Sequence, residues 1–428
     1  MQKEKILIIG SGGREHAIGW KIAQSKHDAE LYFAPGNGGT IELGVNVPIK
    51  ATDIPALLDF ARREKITLTL AIPDDPLALG IVDEFRKNEL RIWGPTKAAA
   101  QLESSKAFSK KFMQKHNLPT AKFEVFTDYD KAKEYLSKMD LPIVIKASGL
   151  ALGKGVIIAE NRDEARDALY NILVKKVFGE AGSEVVIEEF LVGPEISTHA
   201  FSDGVSYKVF PSSQDHKRAL ENDLGLNTGG MGTITPVPFV SAELMNQIEK
   251  EIIAPTLKAM QEEGIPYEGI LYPGLILTKD GPKILEYNAR FGDPETQVYM
   301  RLLETDLLEI LQASVDHKLA DVDITWKNIS ACNVVLASGG YPLDYEKGKV
   351  ISGIKDAEQE SGIVVFHAGT ISKDSQLLTN GGRVLGVCAI GNNLESALNS
   401  AYKAVSKISF DKMEYRKDVG KKALATIL

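Results

Sequence analysis

A predicted β-hairpin about two thirds of the way along the chain constrains the fold most strongly. An apolar run at 271–277 is followed by a turn at 279–281 and by a second strand that ends in Glu286-Tyr287-Asn288. Side chains two apart on a strand point to the same side, so Glu286 and Asn288 can offer oxygens to one hard cation such as Mg²⁺. Arg290 shares that face. The alternative is a solvated strand edge whose polar groups face water.

Length and charge exclude several classes of protein. A chain of 428 residues is too long for one ordinary core, and about three domains are expected. The net charge of -8 argues against a nucleic-acid or membrane-surface binder. Cys332 and Cys388 lie in apolar contexts without metal-site spacing, which predicts buried thiols in a reducing cytoplasm. No stretch approaches the roughly 20 apolar residues of a membrane span.

The first hundred residues alternate strand and helix patterns, which is typical of a doubly wound α/β domain. The predicted elements are strands at 6–9, 31–34 and 68–72 and helices at 15–24, 54–63 and 81–87. The first turn, Gly10 to His16, follows a strand and opens a helix, where backbone N–H groups commonly hold an anion. A dinucleotide site is not favoured, because Glu15 replaces the third glycine and Ala34-Pro35 ends the second strand without an acidic residue.

A second glycine turn, 35–39, ends the next strand on the same predicted edge of the sheet. The two turns together could hold a sugar phosphate through Gly12, Gly13, Arg14 and Asn37. A purely structural role remains open for the second turn.

Residues 103–325 carry a nucleotide-binding pattern. Lys146 ends an apolar strand, where a lysine needs an anionic partner or a route to solvent. The glycine-rich segment 148–155 predicts a mobile hairpin that closes Lys154 over a polyphosphate, although Gly155 excludes a Walker A loop. Lys106 lies on a basic helix, where a solvated lysine is the alternative. The segment that contains Glu188 and Glu195 could line an adenine pocket and offer a carboxylate to the ribose hydroxyls. The alternative is that both residues are surface side chains of a half-exposed strand.

A third dense segment contains the sequences Gln-Asp-His-Lys-Arg at 214–218 and Asn-Thr-Gly-Gly-Met-Gly at 227–232. Its glycines allow backbone to pack closely against a small zwitterionic or charged substrate, with Asp215 and Arg218 available for the two ends. His216 is interpreted either as a catalytic acid or base or as a hydrogen-bonding scaffold residue.

These segments, in this order, resemble the phosphoribosylamine-glycine ligases of the ATP-grasp superfamily, also called glycinamide ribonucleotide synthetases. The resemblance covers essentially the whole chain. It is carried by the texts GSGGREHA, SSKAF, IVIKASGLALGKGV, VIEEFL, SQDHKR, NTGGMG, EYNARFGDPETQ, FHAGT and TNGGRV. The lysines and the metal strand are common to ATP-grasp proteins, whereas QDHKR, NTGGMG and GDPETQ in combination resemble this family in particular.

The resemblance implies a multidomain α/β and α+β fold. It would comprise an N-terminal doubly wound α/β domain at 1–102, a central ATP-grasp domain at 103–326 and a C-terminal domain at 327–428 like those of biotin carboxylases. A small lid would lie near 121–190.

The resemblance also implies the reaction. ATP phosphorylates the carboxylate of glycine, and the amine of 5-phospho-β-ribosylamine attacks the glycyl phosphate to give glycinamide ribonucleotide, ADP and phosphate in purine synthesis. The metal, Mg²⁺ or Mn²⁺, would be bound by Glu286 and Asn288. ATP would be bound by Lys106, Lys146, Lys154, Glu188, Leu191 and Glu195. Catalytic roles would fall to Arg290, Lys154 and Asp293. The two smaller substrates would be bound by Gly12, Gly13, Arg14, Asn37, Asp74, Asp215, Lys217, Arg218, Thr228, Gly229, Gly230 and Arg290.

Three positions depart from the family text. Ser148 stands where an aspartate usually follows the strand of Lys146, so ATP affinity is expected to differ. Asp74 keeps an acid with one methylene less reach than the usual glutamate, and Pro273 replaces a small residue.

Two other classes of function stay in view: another ATP-grasp ligase or carboxylase, and a non-catalytic ATP-binding homologue. The expected partners are ATP, glycine and phosphoribosylamine, with no nucleic acid and no membrane. A cytoplasmic monomer that makes transient contact with the preceding amidophosphoribosyltransferase is expected.

Overall fold

The N-terminal region is a five-stranded parallel sheet in the computed structural model, which describes residues 3–150 and 155–425. The strand order is β3-β2-β1-β4-β5, with helices on both faces, so the predicted doubly wound domain is confirmed. The elements are β1 (Glu4–Gly10), α1 (Gly13–Ile22), β2 (Ala29–Pro35), β3 (Val45–Asn46), α2 (Ile54–Glu64), β4 (Leu68–Ala71), α3 (Asp74–Leu79), α4 (Ile81–Lys87) and β5 (Ile92–Trp93).

A separate four-stranded antiparallel sheet lies within 123–189, in the order β6-β9-β7-β8. It has a hydrophobic core of its own, built from residues such as Leu136, Ile145 and Leu169. The predicted phosphate residue Lys154 follows β7 and lies outside the described residues. The elements are α5 (Gln101–Ser104), α6 (Lys106–Lys115), β6 (Phe123–Phe126), α7 (Tyr129–Ser137), β7 (Ile143–Ala147), β8 (Val156–Ala159), α8 (Arg162–Leu169) and β9 (Val185–Glu189). A turn of π-helix, Tyr170–Val174, extends α8.

The predicted hairpin is confirmed as β17 and β18, two strands of a five-stranded sheet. Glu286 pairs with Gly274 and Asn288 pairs with Tyr272, which fixes the two predicted metal ligands against a buried strand. The elements of this part are β10 (Glu195–Ser197), β11 (Ala200–Asp203), β12 (Tyr207–Val209), β13 (Gln214–Asp215), β14 (Arg218–Leu220), β15 (Leu224–Asn227), β16 (Gly232–Thr235), α9 (Ala242–Ile248), α10 (Ala254–Glu262), β17 (Glu268–Thr278), β18 (Gly281–Asn288), α11 (Glu295–Leu302) and α12 (Leu307–Val315). A π-helical turn, Glu249–Ile253, joins α9 to α10.

The last sheet joins strands that are far apart in sequence. Its order is β13-β16-β19-β23-β20, and β24 pairs with β19. The short strands β13 and β16 come from the central part of the chain, so this sheet crosses the predicted boundary at 326–327. The remaining elements are β19 (Ser330–Ser338), α13 (Ile354–Glu358), β20 (Ile363–His367), β21 (Thr370–Lys373), β22 (Gln376–Thr379), β23 (Arg383–Gly391), α14 (Leu394–Val405), β24 (Met413–Glu414) and α15 (Lys421–Ala425).

Both cysteines are buried free thiols, as predicted. Cys332 pairs with Ala389, one position along from Cys388, so successive side chains place the two thiols on opposite faces of the sheet. They belong to different hydrophobic cores. Among the described helices, none has the length and apolar character needed to cross a membrane.

Candidate active site

A cavity of about 1110 Å³ is lined by residues from all three predicted domains. Most of the predicted site residues lie on its wall: Arg14, Asp74, Lys106, Lys146, Glu188, Leu191, Glu195, Asp215, Lys217, Arg218, Thr228, Gly229, Glu286, Asn288, Arg290 and Asp293. Four others, Gly12, Gly13, Asn37 and Gly230, are not part of this lining. The sequence pattern therefore predicted one connected site from segments that are far apart in the chain.

A buried cluster of lysines and one carboxylate forms one side of the cavity. Lys146 Nζ lies 3.0 Å from Glu188 Oε1 and donates to the carbonyl of Leu285. Lys110 Nζ lies 3.1 Å from Glu188 Oε2, and burial lowers the pKa of Lys110 to about 8. The side chain of Glu188 is therefore the shared counter-ion of two lysines.

Lys106 opens α6 beside this cluster. Ser105 caps the helix by accepting a hydrogen bond from Phe108 N, and Lys106 N donates to Ser148 O. Burial lowers the pKa of Lys106, while the nearby charge of Glu286 opposes that shift. Ser148 Oγ accepts from Ala107 N at 3.1 Å. Ser148, which departs from the family pattern, thus holds the start of α6 through its hydroxyl and its carbonyl.

Lys217 connects two carboxylates at the centre of the cavity. Its Nζ lies 3.1 Å from Glu195 Oε2 and 3.9 Å from Glu286 Oε1. The negative charge of Glu195, followed by that of Glu286 against the effect of burial, raises the pKa of Lys217. The predicted ribose ligand and the predicted metal ligand are therefore linked through one ammonium group.

The residues of β18 fit a hard divalent cation. Burial would raise the pKa of Glu286, but the positive charges of Lys217 and Lys106 outweigh burial and hold that pKa below its ordinary value. Glu286 thus stays ionised next to the amide oxygen of Asn288. The described residues contain no cluster of three or more His, Cys, Asp or Glu side chains suited to a metal. A cation held here would complete its coordination with substrate and water oxygens, as Mg²⁺ commonly does.

Arg290 lies directly after the metal strand and is held by three acceptors. Its Nη2 is 3.0 Å from Glu103 Oε1 and donates to Asn288 Oδ1 at 3.1 Å, and its Nη1 donates to Phe291 O. The carbonyl of Phe291 also accepts from Arg14 Nη1. Burial would lower the pKa of Arg290, but the charges of Glu103 and Asp74 raise it, so the guanidinium stays charged.

Asp74 begins α3 on the same wall. Burial would raise its pKa, yet Arg290 and Arg14 hold that pKa below the ordinary value. The shorter acid at this position therefore remains ionised beside two guanidinium groups. Pro273, the third departure, pairs with Tyr287 within β17 and β18, away from the side that carries Glu286.

Two further acids, Asp215 and Glu295, also line the cavity. Tyr272 Oη donates to Glu295 Oε1 at 2.5 Å, and Asp215 Oδ1 is buried without a hydrogen-bond partner among the described residues. Burial and then the charge of Glu295 raise the pKa of Asp215 well above its ordinary value. A cation placed here would favour the ionised form of Asp215.

The glycine loop 228–230 is held by the C-terminal part of the chain. Gly229 N donates to Tyr341 Oη, and Arg383 Nη1 donates at 2.7 Å to the carbonyls of both Gly229 and Asp293. Gly230 has φ +110°, and a Cβ there would lie 2.5 Å from Asp215 Oδ1. Only glycine allows this loop to approach Asp215 so closely.

His216 is a scaffold residue, the second of its two predicted roles. Its ring lies between the carbonyl of Gly232, 3.1 Å from Nδ1, and Gly420 N, which donates to Nε2 at 2.9 Å. Burial, followed by the positive charge of Arg416, lowers the pKa of His216 to about 4. Both ring nitrogens are used within the fold.

The first glycine turn differs from the predicted anion site. Glu15 folds back over it, and its Oε2 accepts from Gly12 N at 2.6 Å while its Oε1 lies 2.7 Å from Arg14 Nε. This carboxylate caps α1, which is why the helix begins at Gly13, two residues before the predicted start. An internal anion thus occupies part of the predicted site at Gly12 and Gly13.

Asn37 is also held by the fold. Its Nδ2 donates to the carbonyls of Ser11 and His367, and its Oδ1 accepts from the N–H groups of Gly39 and Thr40. The side chain is therefore used to join the second glycine turn to the first turn and to β20. The structural reading of this turn, which the sequence left open, has direct support.

Family models match nearly the whole chain. Those described as the N, ATP-grasp (A) and C domains of phosphoribosylglycinamide synthetase match residues 4–103, 104–296 and 331–422, respectively. The chain belongs to this family. The predicted family and enzyme class, a ligase of the ATP-grasp type, are confirmed.

Individual relatives agree with the phosphoribosylglycinamide synthetase family. The chain is 49% identical over 424 residues to the phosphoribosylamine-glycine ligase of Vibrio parahaemolyticus, covering 98% of this chain and 99% of that protein. The crystal structure of the Thermotoga maritima phosphoribosylamine-glycine ligase has a TM-score of 0.85 at 36% identity, covering 97% and 99%. A biotin carboxylase domain from Hydrogenobacter thermophilus has a TM-score of 0.72 at 16% identity, covering 96% and 91%, and this likeness shows the fold alone.

Among the cavity-wall residues that were not assigned a role from the sequence are Glu103, Lys110, Tyr341 and Arg383. Lys110 had a usable signal, since it lies four residues after Lys106 and therefore on the same helical face. Glu103 precedes the recognised lysine by three residues, but nothing local indicates that it reaches Arg290. Tyr341 and Arg383 act across more than a hundred residues of sequence.

Proposed function

We propose that this chain catalyses the ATP-dependent ligation of glycine to 5-phospho-β-ribosylamine, giving glycinamide ribonucleotide, ADP and phosphate. One observation carries the proposal: a single cavity joins buried lysines, a carboxylate-amide pair for a cation, a charged arginine and a close-packed glycine loop. These groups match the successive needs of phosphoryl transfer and acyl phosphate capture. The family relationship supplies the substrate identities.

ATP binding uses the lysine side of the cavity. Lys106 and Lys146 neutralise phosphate charge, Lys154 has the same proposed role, the backbone at Glu188 and Leu191 holds adenine, and Glu195 binds ribose. Glu286 and Asn288 hold Mg²⁺ or Mn²⁺, which supplies charge neutralisation of the phosphate oxygens. Preorganised positive charge around the phosphates lowers the activation barrier for phosphoryl transfer, and no covalent protein nucleophile is needed.

The glycine carboxylate attacks the terminal phosphorus of ATP, forming glycyl phosphate and releasing ADP. Arg290 stabilises the transferring phosphoryl group and then the acyl phosphate. Asp215, Gly229 and Gly230 bind glycine, and the ammonium group of glycine is the cation that favours the ionised form of Asp215. This placement aligns the carboxylate with the phosphate.

The amine of phosphoribosylamine then attacks the glycyl carbonyl. A C–N bond forms, the C–O bond to phosphate breaks, and the nitrogen loses a proton. Arg14, Asp74 and Asp293 lie on the wall that would receive the ribosyl phosphate, together with Lys217, Arg218 and Thr228. Gly12, Gly13 and Asn37 are proposed to shape the pocket for this substrate. The N–H of Gly12 already donates to Glu15, and the side chain of Asn37 already donates to the carbonyl of Ser11.

The decisive experiment measures ADP formation by the purified chain with Mg²⁺, varying glycine and freshly generated phosphoribosylamine separately. The proposal requires turnover that depends on both substrates and incorporation of labelled glycine into a phosphorylated product. ADP formation that ignores phosphoribosylamine would favour another ATP-grasp ligase or carboxylase. ATP binding with no turnover on any acid would favour a non-catalytic homologue.

A cytoplasmic location and a monomeric state also form part of the proposal. Transient contact with the amidophosphoribosyltransferase that makes phosphoribosylamine is included because that amine is chemically unstable. Sedimentation with and without that enzyme tests both the oligomeric state and the contact.

A further inference from the structure

A carboxylate outside the predicted site touches the segment that follows the metal strand at two points. Glu103 lies on α5, in the connection between the N-terminal sheet and the central region. Its Oε2 accepts a hydrogen bond from Ala289 N at 2.7 Å, and its Oε1 lies 3.0 Å from Arg290 Nη2. One side chain therefore holds both the backbone and the guanidinium of consecutive residues.

The contact determines where the guanidinium can lie. Arg290 Nη2 also donates to Asn288 Oδ1, while Arg290 Nε is buried with no partner among the described residues. Glu103 is the carboxylate within ion-pair distance of Arg290 in the described part of the chain. Without the Glu103 carboxylate, the long side chain of Arg290 could adopt several orientations of similar energy.

The charge balance also favours an organising role. Arg290 and Arg14 face Glu103 and Asp74 on the same cavity wall, and Glu15 also pairs with Arg14, so both guanidinium groups have carboxylate partners. Burial raises the pKa of Glu103, and the charge of Arg290 opposes that shift. A buried guanidinium with no fixed counter-ion would be costly. Glu103 lets Arg290 remain charged and in place before a phosphoryl group arrives.

We infer that Glu103 is a positioning residue for the ligation reaction, acting through Arg290 by holding its guanidinium and the adjoining peptide in the geometry needed for phosphoryl transfer. This inference rests on the proposed function. It adds a residue from the connection between domains, and it predicts a defect in kcat rather than in substrate binding.

The first test is the substitution Glu103→Gln. The amide keeps the size of the side chain but presents a donor toward either the Ala289 N–H or the guanidinium. We expect kcat to fall by roughly 10- to 100-fold, the scale of a small misplacement, with KM values for ATP and glycine within about threefold of wild type. Glu103→Asp keeps the charge at shorter reach and is expected to give an intermediate kcat.

A double-mutant cycle separates positioning from general structure. In an Arg290→Ala background, Glu103→Gln should cost less than about twofold further, because its route of action is already gone. Glu268→Gln is the matched control, since Glu268 pairs with Arg86 across the same two regions but outside the cavity lining. It should leave kcat unchanged.

Three results would overturn the inference: unchanged kcat in Glu103→Gln and Glu103→Asp, equal losses in both backgrounds, or a fall in activity that only follows the fraction of folded protein. If Glu103→Gln fails to fold, Glu103→Asp and its own cycle with Arg290→Ala decide the matter. A wild-type chain without glycine- and phosphoribosylamine-dependent turnover would instead refute the proposed function.

Discussion

Two arginines, the buried Arg416 and the partly buried Arg290, have similar partners but different surroundings. Arg416 donates from Nε and Nη2 to both oxygens of Asp418, and from Nη1 to Asp223 and the carbonyl of Arg218. Four of its five N–H groups are thus used to tie the β14–β15 hairpin to the C-terminal segment. Arg290 keeps Nε without a partner and lines the cavity. Arg416, with four donors bound within the fold, is expected to stabilise it, whereas Arg290 makes fewer such bonds and lies on the cavity wall, where it can contact a ligand.

Removing Arg416 should have the largest effect, and on stability alone. Arg416→Met leaves the largely buried Asp418 without its counter-ion, while Asp223 keeps Lys422, so the free energy of unfolding should fall by about 3–5 kcal/mol. The folded fraction should keep its kcat, because Arg416 is not part of the cavity lining. Chemical denaturation and activity per folded molecule measure the two properties. A large fall in kcat of folded protein would remove the contrast with Arg290.

Changing Arg290 should reverse this pattern. Arg290→Lys keeps a positive charge but loses the planar fork that contacts Glu103 and Asn288 together. We expect kcat to fall roughly 100-fold, equivalent to about 2.7 kcal/mol, while the thermal midpoint changes little. Steady-state kinetics and thermal unfolding on the same preparation check this. Loss of stability comparable to that of Arg416→Met would show that Arg290 is structural as well.

The substitution Asn288→Ala tests whether Asn288, which accepts a hydrogen bond from Arg290, is a ligand of the metal ion. The substitution removes one of two predicted ligand oxygens, so the Mg²⁺ concentration for half-maximal activity should rise about tenfold, or about 1.4 kcal/mol. Titration of Mn²⁺ followed by its magnetic resonance signal gives an independent readout. Asn399→Ala, at an exposed position of α14, is the control and should leave both titrations unchanged.

The smallest expected effect concerns pH near Arg416. His216 has its pKa lowered to about 4 by burial and then by Arg416, opposed by the hydrogen bond to Gly232 and by the charges of Asp223 and Asp418. The unfolded chain therefore binds a proton at higher pH than the fold does, and stability is lost as pH falls from about 6.5 towards 4. In His216→Asn, the thermal midpoint should fall by fewer degrees than in wild type between pH 7 and 4.5. An identical slope would contradict this assignment.

Local patterns predicted the elements that depend on nearby residues. The hairpin of β17 and β18 was predicted because its alternation, turn and polar ends lie within eighteen consecutive residues. The N-terminal sheet was predictable for the same reason. Lys146, Glu286 and Asn288 were singled out because they lie near the ends of recognisable strands, whereas Lys106 was assigned to ATP through the resemblance to the family.

Long-range hydrogen bonds account for what the sequence could not predict. Whether Asn37 faces a ligand or the carbonyl of His367 depends on a contact between residues 330 positions apart. Glu103 and Arg383 likewise act through partners that share no local pattern with them. The fold-back of Glu15 was partly readable, since it replaces a glycine at the start of α1, but its capping of Gly12 requires a specific side-chain conformation.

The sheet that crosses the predicted domain boundary also has a consequence for synthesis on the ribosome. Strand β16 pairs with β19, whose residues are synthesised about a hundred positions later. The glycine loop before β16 is held by Arg383, which is synthesised later still. During translation, the ATP-binding half can form before the substrate loop has any fixed place. The nascent chain therefore acquires its catalytic geometry late, when the C-terminal strands have left the exit tunnel, and truncated products should be inactive even where their first two regions are folded.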